Sequence, residues 1–321
     1  MVLNPFKKMT LRMSLGILTL AVTLAVFSAP AWAAEGADQR SFSSPQQAVA
    51  SLLEALKAEN DSELLAILGS NADDLVYSGD DVADRNGRER FVRAYAEKNR
   101  IEQKSPDRAI LIVGGKDYPF PIPIVREGNV WLFDTSAGRE EILTRRIGRN
   151  ELHTIEVMHE YVDAQREYAC RKSNREGEFA QRFASTPGKK DGLYWPADEG
   201  TEESPFGPLI AQATDEGYTG GLDEEPPEPF HGYLFKILKA QGPHADGGAF
   251  DYVVDGKMAL GFAAVAYPAR YGASGIMTFL VNQAGVIYEK DLGPDTDDIA
   301  ARMTSFDPDD TWRKYVESTE K

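Results

Sequence analysis

Cysteine and histidine are scarce in this chain of 321 residues, which contains one cysteine and four histidines. Because Cys170 is the only cysteine, no intramolecular disulfide can form, and stability has to come from packing. Helical spacing continues an apolar stripe up to this residue and predicts a buried thiol. His153 and His159 are too far apart to share one helix face, so they do not predict a zinc site.

Basic charge is also in deficit, since 35 lysines and arginines stand against 51 aspartates and glutamates, for a formal net charge of -16. Affinity for nucleic acid depends largely on basic side chains that displace counterions from phosphates. A surface this acidic repels phosphate backbones and anionic lipid. We therefore expect no nucleic-acid partner.

The usual catalytic motifs are missing as well. Gly272-Ala273-Ser274-Gly275 has the wrong spacing for the Gly-x-Ser-x-Gly nucleophile elbow. The glycine and lysines within residues 185–190 lack the frame of a phosphate-binding loop. Triads are assembled in space, so these absences do not exclude an enzyme, but they favour a non-enzymatic protein.

The N-terminus has the pattern of a secretory signal peptide. Lys7, Lys8 and Arg12 precede an apolar run over residues 15–27, which ends at Ala31-Trp32-Ala33. A membrane-spanning helix needs about 20 apolar residues, so cleavage is favoured over a retained anchor. We predict that residues 1–33 are a signal peptide and that the mature protein is periplasmic or secreted, without a stable membrane anchor.

Helix and then strand signals fill residues 42–147. Ser44 and Pro45 are typical of a helix start, Asp61 begins a second helix that Gly69 can end, and a third helix is predicted over residues 84–98. Strands are predicted over residues 109–113, 118–125 and 130–133. Prolines 119, 121 and 123 lack amide donors and indicate a sheet edge.

Residues 148–321 repeat the order of a helix followed by strands, so we predict two α+β domains, residues 42–147 and residues 148–321. A long helix is predicted from residue 139 to residue 171 with an interruption at Gly148, and an irregular acidic loop covers residues 186–229. Strands are predicted over residues 232–238, 250–254 and 258–267, and a hairpin over 276–288. The fold class is therefore α+β, with helices on a curved antiparallel sheet followed by a long helix packed on a second antiparallel sheet.

Two groups of side chains are candidate sites. Tyr77, Trp131 and Arg139 could line a small-ligand pocket, although Trp131 is equally suited to the core and Arg139 to an ion pair. A dense set of carboxylates near the C-terminus could bind calcium: Asp291, Asp295, Asp297 and Asp298. The last two also suit the first turn of a helix. No other cofactor is predicted.

Each half resembles a known type of domain. The order of elements over residues 42–136, closed by Trp131-Leu132-Phe133-Asp134, resembles a nuclear-transport-factor-like cone, which implies a pocket between helices and sheet. Asn150-Glu151, Tyr161-Val162 and Gly232-Tyr233-Leu234-Phe235 resemble the globular head of a type IV pilin or pseudopilin. That second resemblance implies a module for contacts and lends support to calcium, because some pseudopilin heads bind it.

Nearly all of the chain after the leader resembles an exported bacterial family known as domain of unknown function 2950. The runs that carry this resemblance include Asp81-Val82-Ala83-Asp84-Arg85, Pro119-Phe120-Pro121-Ile122-Pro123 and Gly192-Leu193-Tyr194-Trp195-Pro196. Membership implies export and a fold but no reaction. We expect a non-enzymatic module that binds an envelope protein or cell-wall component through its pilin-head-like half. The alternative is a small-ligand-binding protein or hydrolase that uses the pocket of the N-terminal domain.

Overall fold

A computed structural model describes residues 39–171, 177–197, 202–219 and 227–316 of the chain. The predicted signal peptide, residues 1–33, lies outside the described residues. Within these ranges, no helix combines the length and the apolar character that crossing a membrane requires.

Four helices open the described chain, and side-chain caps set where three of them begin. They are α1 (Pro45–Lys57), α2 (Asp61–Leu68), α3 (Asp73–Val76) and α4 (Asp81–Glu97), with one 3-10 turn at Ser70–Ala72. The Ser44 hydroxyl accepts a hydrogen bond from the amide of Gln47, and the Asn60 side chain accepts one from the amide of Glu63. The predicted starts of α1 and α2 are thus confirmed. α4 begins earlier than predicted because Asp80 caps it by accepting from Ala83.

An antiparallel sheet follows, in the order β1-β2-β4-β5, with a short strand β3 beside β2. Its strands are β1 (Asn99–Ser105), β2 (Arg108–Val113), β3 (Tyr118–Pro119), β4 (Ile124–Glu127) and β5 (Val130–Phe133). The predicted strand over residues 118–125 is divided in two, because alternating prolines remove the amides that a continuous ladder needs. β1 was not predicted, since its sequence is mostly polar and shows no apolar alternation.

The helices cover this sheet and form a first hydrophobic core. It includes Val49, Leu52, Ile67, Leu111 and Phe133, all of them buried. Burial of side chains of this size stabilises the folded state by about 1.5–3 kcal/mol each. The sheet and the helices therefore hold one another in place.

One unbroken helix, α5 (Thr135–Cys170), links this core to the next. The predicted interruption at Gly148 is wrong, because a glycine inside a helix lowers stability by about 1 kcal/mol but leaves the hydrogen-bond ladder intact. The side chain of Asp134 caps α5 by accepting from the amide of Ala137. The predicted domain boundary between residues 147 and 148 falls inside this helix and stays a prediction.

Cys170 is exposed at the last position of α5, so its predicted burial is wrong. Tyr168 is buried against the second core. Two residues further on, about 200° around the helix axis, a side chain faces away from that core. The apolar stripe therefore ends at Tyr168.

The C-terminal half is a second antiparallel sheet with short helices and ribbons around it. The order of the sheet is β14-β13-β12-β11-β6, and two ribbons pair β7 with β8 and β9 with β10. The elements are α6 (Gly207–Asp215), β6 (Tyr233–Leu238), β7 (Ala240–Gln241), β8 (Phe250–Asp251), β9 (Val253–Val254), β10 (Lys257–Met258), β11 (Ala263–Pro268), β12 (Met277–Asn282), β13 (Tyr288–Asp291), α7 (Thr296–Ala301) and β14 (Arg313–Lys314).

The second half of α5 packs on this sheet, as the sequence predicted. Met158, Tyr161 and Val162 are buried in a second core, and the Tyr161 hydroxyl donates to the carbonyl of Ala263 at 3.0 Å. The predicted loop over residues 186–229 contains α6, whose proline in the first turn is a typical helix-start residue. The described structure is α+β, which confirms the predicted class.

Buried polar contacts join residues of the two halves. The carboxylate of Asp80 accepts from the Tyr218 hydroxyl at 2.9 Å and from the Gly232 amide at 2.7 Å. The guanidinium of Arg270 donates to the carbonyl of Tyr77 at 2.8 Å. A buried carboxylate needs such donors because its desolvation is unfavourable. These contacts fix the start of α4 against the C-terminal half.

Candidate functional site

A cavity of about 500 Å³ lies between the N-terminal helices, the first part of α5 and the segment that contains β3. Its interior is mainly apolar, because each contributing helix turns leucine, isoleucine or phenylalanine side chains toward it. These include Leu52, Leu56, Leu64, Leu75, Phe91, Phe120 and Ile142. Ligand pockets typically measure 300–1,000 Å³ and have such linings. The cavity thus has the size and the polarity of a small-molecule site.

Gly87 lines this cavity from the middle of α4. A Cβ placed there would lie 3.8 Å from Nη2 of Arg90 and within 4 Å of no other heavy atom outside its own turn. Glycine inside a helix is about 1 kcal/mol less favourable than alanine. The lack of a side chain here leaves the cavity open on that side.

Five arginines surround the apolar interior, and Asp84 is the one acidic side chain among the lining residues. Two arginines come from α4 and three from α5. On α5 the lining residues are Ile142, Arg145, Arg146 and Arg149, a spacing that places them on one helix face. The cavity is therefore basic in a chain whose net charge is strongly negative.

Three of these arginines are held by neighbouring groups. Arg146 donates to the carbonyls of Asp74 and Leu75, at 2.7 Å each. Arg88 pairs with Asp61 at 2.7 Å and donates to the carbonyl of Val76. Arg145 contacts Glu141 and the hydroxyl of Tyr118. These contacts bind α3 and β3 to the longer helices and so fix the walls of the cavity.

Burial shifts the pKa values of two charged groups in the wall of the cavity. It raises the pKa of Asp84, whose carboxylate accepts from the amide of Ser78, a bond that acts in the opposite direction. Burial also lowers the pKa of Arg146, while Asp84 and Asp74 oppose that change. A guanidinium stays protonated in proteins, so the wall keeps its positive charge.

Arg90 and Arg149 differ from the other three arginines. Within the described ranges, neither side chain makes a hydrogen bond or an ion pair with another residue. Partial burial lowers the pKa of Arg149, and the positive charge of Arg90 adds to this effect. Both are exposed lining residues, as Arg145 is, so they lie where the cavity opens to solvent.

The candidate site residues from the sequence lie elsewhere. None of Tyr77, Trp131 and Arg139 is among the lining residues. Trp131 belongs to the first core with 9% exposure, and Tyr77 packs against the same core. Arg139 pairs with Asp74 at 2.6 Å, a partner that sequence spacing did not indicate. The structure does not bring these three side chains together around the cavity.

The four candidate calcium ligands lie around the start of α7. The carboxylate of Asp291 accepts from the amide of Gly293 and the hydroxyl of Tyr271. Asp297 and Asp298 occupy the first turn of α7, as the alternative interpretation proposed. Within the described part of the chain, no group of three or more histidine, cysteine or acidic side chains is arranged to hold a metal ion.

A second cluster of titratable groups lies where α5 meets the chain before β6. His153 and His231 stack with ring centroids 4.6 Å apart beside a hollow of about 260 Å³. His231 lies 3.3 Å from Glu216, and His153 lies 3.3 Å from Glu156. Sequence reasoning missed this cluster because its histidines are far apart in the chain and only folding brings them together.

The main cavity can bind and orient a ligand, and Asp84 and Tyr118 are its lining residues of types that can also act as nucleophiles. Its lining residues include no serine, threonine, cysteine, histidine or lysine. Across the described ranges, no histidine side chain is hydrogen-bonded to a serine, threonine or cysteine side chain. Activation of a hydroxyl or thiol requires a base within hydrogen-bond reach.

Comparison with known proteins identifies a family and no characterised relative. No curated protein and no solved structure matches the chain significantly. One family model, described as Protein of unknown function (DUF2950), matches residues 39–315 and so spans both cores, the cavity and α5. The chain therefore belongs to the DUF2950 family.

Proposed function

We propose that this protein is a non-enzymatic binding protein that holds a small molecule with an apolar body in the cavity between α4, α5 and the first sheet. The observation that carries the proposal is the cavity itself, about 500 Å³ with a mainly apolar interior. Protein interiors are close-packed, and voids larger than a water molecule are few. An open apolar cavity of this size is therefore best explained by a ligand.

The walls support the proposal because they are fixed before any ligand arrives. Arg146 and Arg88 donate to consecutive backbone carbonyls of α3, from Asp74 to Val76. Hydrogen bonds from charged donors contribute about 1.5–3 kcal/mol each. A pocket with preformed walls loses little conformational entropy on binding.

We also propose that the protein acts outside the cytoplasm. The leader-like residues 1–33 favour the periplasm or the exterior of the cell. Helices packed on an antiparallel sheet around a cavity are in keeping with a nuclear-transport-factor-like cone. An exported protein with such a pocket would capture a ligand present in the envelope. A contact of the pilin-head-like half with an envelope protein or cell-wall component would be a separate activity.

A pair of glycine substitutions tests the cavity. Gly87→Leu adds a side chain where only Arg90 is near, so it should fill part of the space and improve the helix propensity of α4. We expect an apolar fluorescent naphthylamine probe to bind the detergent-free wild type and to bind Gly87→Leu about tenfold or more weakly. The measurement is a fluorescence titration.

Gly148→Leu is the matched control, because it makes the same change on α5 at a position with free space outside the cavity lining. This variant should bind the probe like the wild type. The proposal fails if the wild type does not bind the probe, or if Gly87→Leu binds it as tightly as Gly148→Leu does.

A further inference from the structure

Two unpaired arginines stand at the opening of the cavity. The chain has 51 acidic residues against 35 basic ones, and two of the arginines that line the cavity have a carboxylate partner. These are Arg88 and Arg145, which pair with Asp61 and Glu141. Arg90 and Arg149 have no such partner, and each is free of ion pairs and hydrogen bonds within the described ranges. Their charge is therefore available to a ligand.

The positions of the two arginines make them act on one another. Arg90 belongs to α4 and Arg149 to α5, and both line the same cavity. The charge of Arg90 lowers the pKa of Arg149, which indicates repulsion between the two guanidiniums. An anion between them would replace this repulsion with two attractions. Guanidinium groups bind carboxylates and phosphates through paired N–H donors.

The interior indicates what is attached to the anion. Leucine, isoleucine and phenylalanine side chains line it, and the lining residues offer no polar uncharged side chain apart from the hydroxyl of Tyr118. A sugar or a nucleobase would lose hydrogen bonds to water there without replacement. An alkyl chain would lose none.

We propose, on the basis of the function proposed above, that the ligand is a single-chain amphiphile with a carboxylate or phosphate head, and that Arg90 and Arg149 hold this head at the cavity opening. The alkyl chain then extends between Leu52, Leu64 and Phe91. Both ends of the ligand find matching chemistry in a protein whose surface otherwise repels anions.

Calorimetric titration of the purified full chain with decanoate, decyl phosphate and decanol tests this proposal. The three ligands share one alkyl chain and differ in the head. We expect the wild type to bind at least one of the two anions about tenfold or more tightly than decanol, which corresponds to about 1.4 kcal/mol. Arg90→Gln and Arg149→Gln should each weaken binding of that anion about tenfold and leave decanol unchanged.

Arg126→Gln is the charge control, since Arg126 is exposed on β4 and is not a lining residue. It should bind all three ligands like the wild type. Thermal melting of each variant verifies that it is folded. Whichever anion binds more tightly identifies the head.

The outcomes separate the two proposals. If the naphthylamine probe binds the wild type but decanol binds as tightly as both anions, the anionic head is disproved while the apolar cavity remains. If the preference for an anion persists in both glutamine variants, the assignment to Arg90 and Arg149 is disproved. If the probe and all three ligands fail to bind, the proposed function itself is disproved.

Discussion

His231 has an unusual backbone conformation, and its surroundings make its charge sensitive to pH. Its backbone φ is +50°, in the left-handed region that non-glycine residues seldom adopt. Its ring stacks on His153, and its Nε2 atom lies 3.3 Å from Glu216. Burial lowers the pKa of His231 from the ordinary value of 6.5, with Glu216 and Glu156 opposing and His153 and Arg149 adding to the effect. Protonation therefore favours the unfolded chain.

Because the pKa of His231 is lowered in the folded protein, we predict that the protein loses stability in mild acid. The unfolded chain binds a proton at this histidine at higher pH than the folded chain, so the contribution is complete above about pH 6.5 and is lost as the pH falls through the folded pKa. Urea midpoints at about pH 8 and about pH 5 should show this drop. His231→Asn, which tolerates a positive φ, should reduce it.

The control is His159→Asn, at an exposed position of α5 whose side chain has no partner within the described ranges. The fall in urea midpoint from about pH 8 to about pH 5 should be the same in this variant as in the wild type. Burial raises the pKa values of Asp80 and Asp84, and both act in the opposite direction as the pH falls. They are present in every variant and cancel in the comparison. An equal drop in wild type and His231→Asn would contradict the prediction.

At the scale of residues, the sequence predicted helix caps correctly but not the ion-pair partners or the burial of individual side chains. Ser44 caps α1 as its spacing indicated, because a cap depends on the next three residues. Arg139 pairs with Asp74, which lies on another helix. Cys170 is exposed because the buried stripe of α5 ends two residues earlier, at Tyr168. Partners from distant parts of the chain decide such environments.

At the scale of elements, α5 contains two glycines with opposite roles. A Cβ at Gly138 would lie 2.7 Å from backbone atoms of Pro121 and Ile122, which belong to the cavity wall. A Cβ at Gly148 would have nothing within 4 Å outside its own turn. The first glycine permits close approach of α5 to the segment between β3 and β4, and the second only lowers helix propensity.

We therefore predict opposite effects for the same substitution on one helix. Gly138→Ala should lower the free energy of unfolding by about 1–3 kcal/mol, because the backbone has to move to relieve the overlap. Gly148→Ala should raise it by about 0.5–1 kcal/mol. Urea denaturation of the two variants and the wild type measures both. If the two changes agree in sign, the close approach at Gly138 does not matter for stability.

The basic face of α5 shows what residue spacing within one helix can and cannot predict. The spacing of Arg145, Arg146 and Arg149 is visible in the sequence and places them together. A charged face of this kind usually points to water. Here it lines a cavity because α3, α4 and β3 surround it, and their arrangement depends on contacts distant in sequence. This is why the sequence selected Tyr77, Trp131 and Arg139 instead.

At the scale of the whole molecule, the two cores are joined by α5 and by buried polar contacts. Asp80 caps α4 and also accepts from Tyr218 and Gly232 of the C-terminal half. Separation of the halves would leave these groups without partners, at about 1–3 kcal/mol for each unsatisfied group. A break in α5 would expose hydrogen bonds along a continuous helix. The halves should therefore unfold together.

Tryptophan fluorescence can measure this coupling. Trp131 lies in the first core and Trp195 in the second. A variant that keeps both and replaces the remaining tryptophans by phenylalanine should show a single urea transition, with the same midpoint by fluorescence and by far-UV circular dichroism. Two separate midpoints in a variant that keeps both would instead support independent domains with a boundary near residues 147 and 148.

The sequence by itself determined the α+β class, the starts of α1 and α2 and the family, because these depend on local spacing, on helix caps and on runs of residues along the chain. Only the tertiary structure decided the site. Gly87, Arg90 and Arg149 meet an apolar interior drawn from five helices and a short strand. The free energy that assembles these parts comes from packing between distant segments, which periodicity within one segment does not encode.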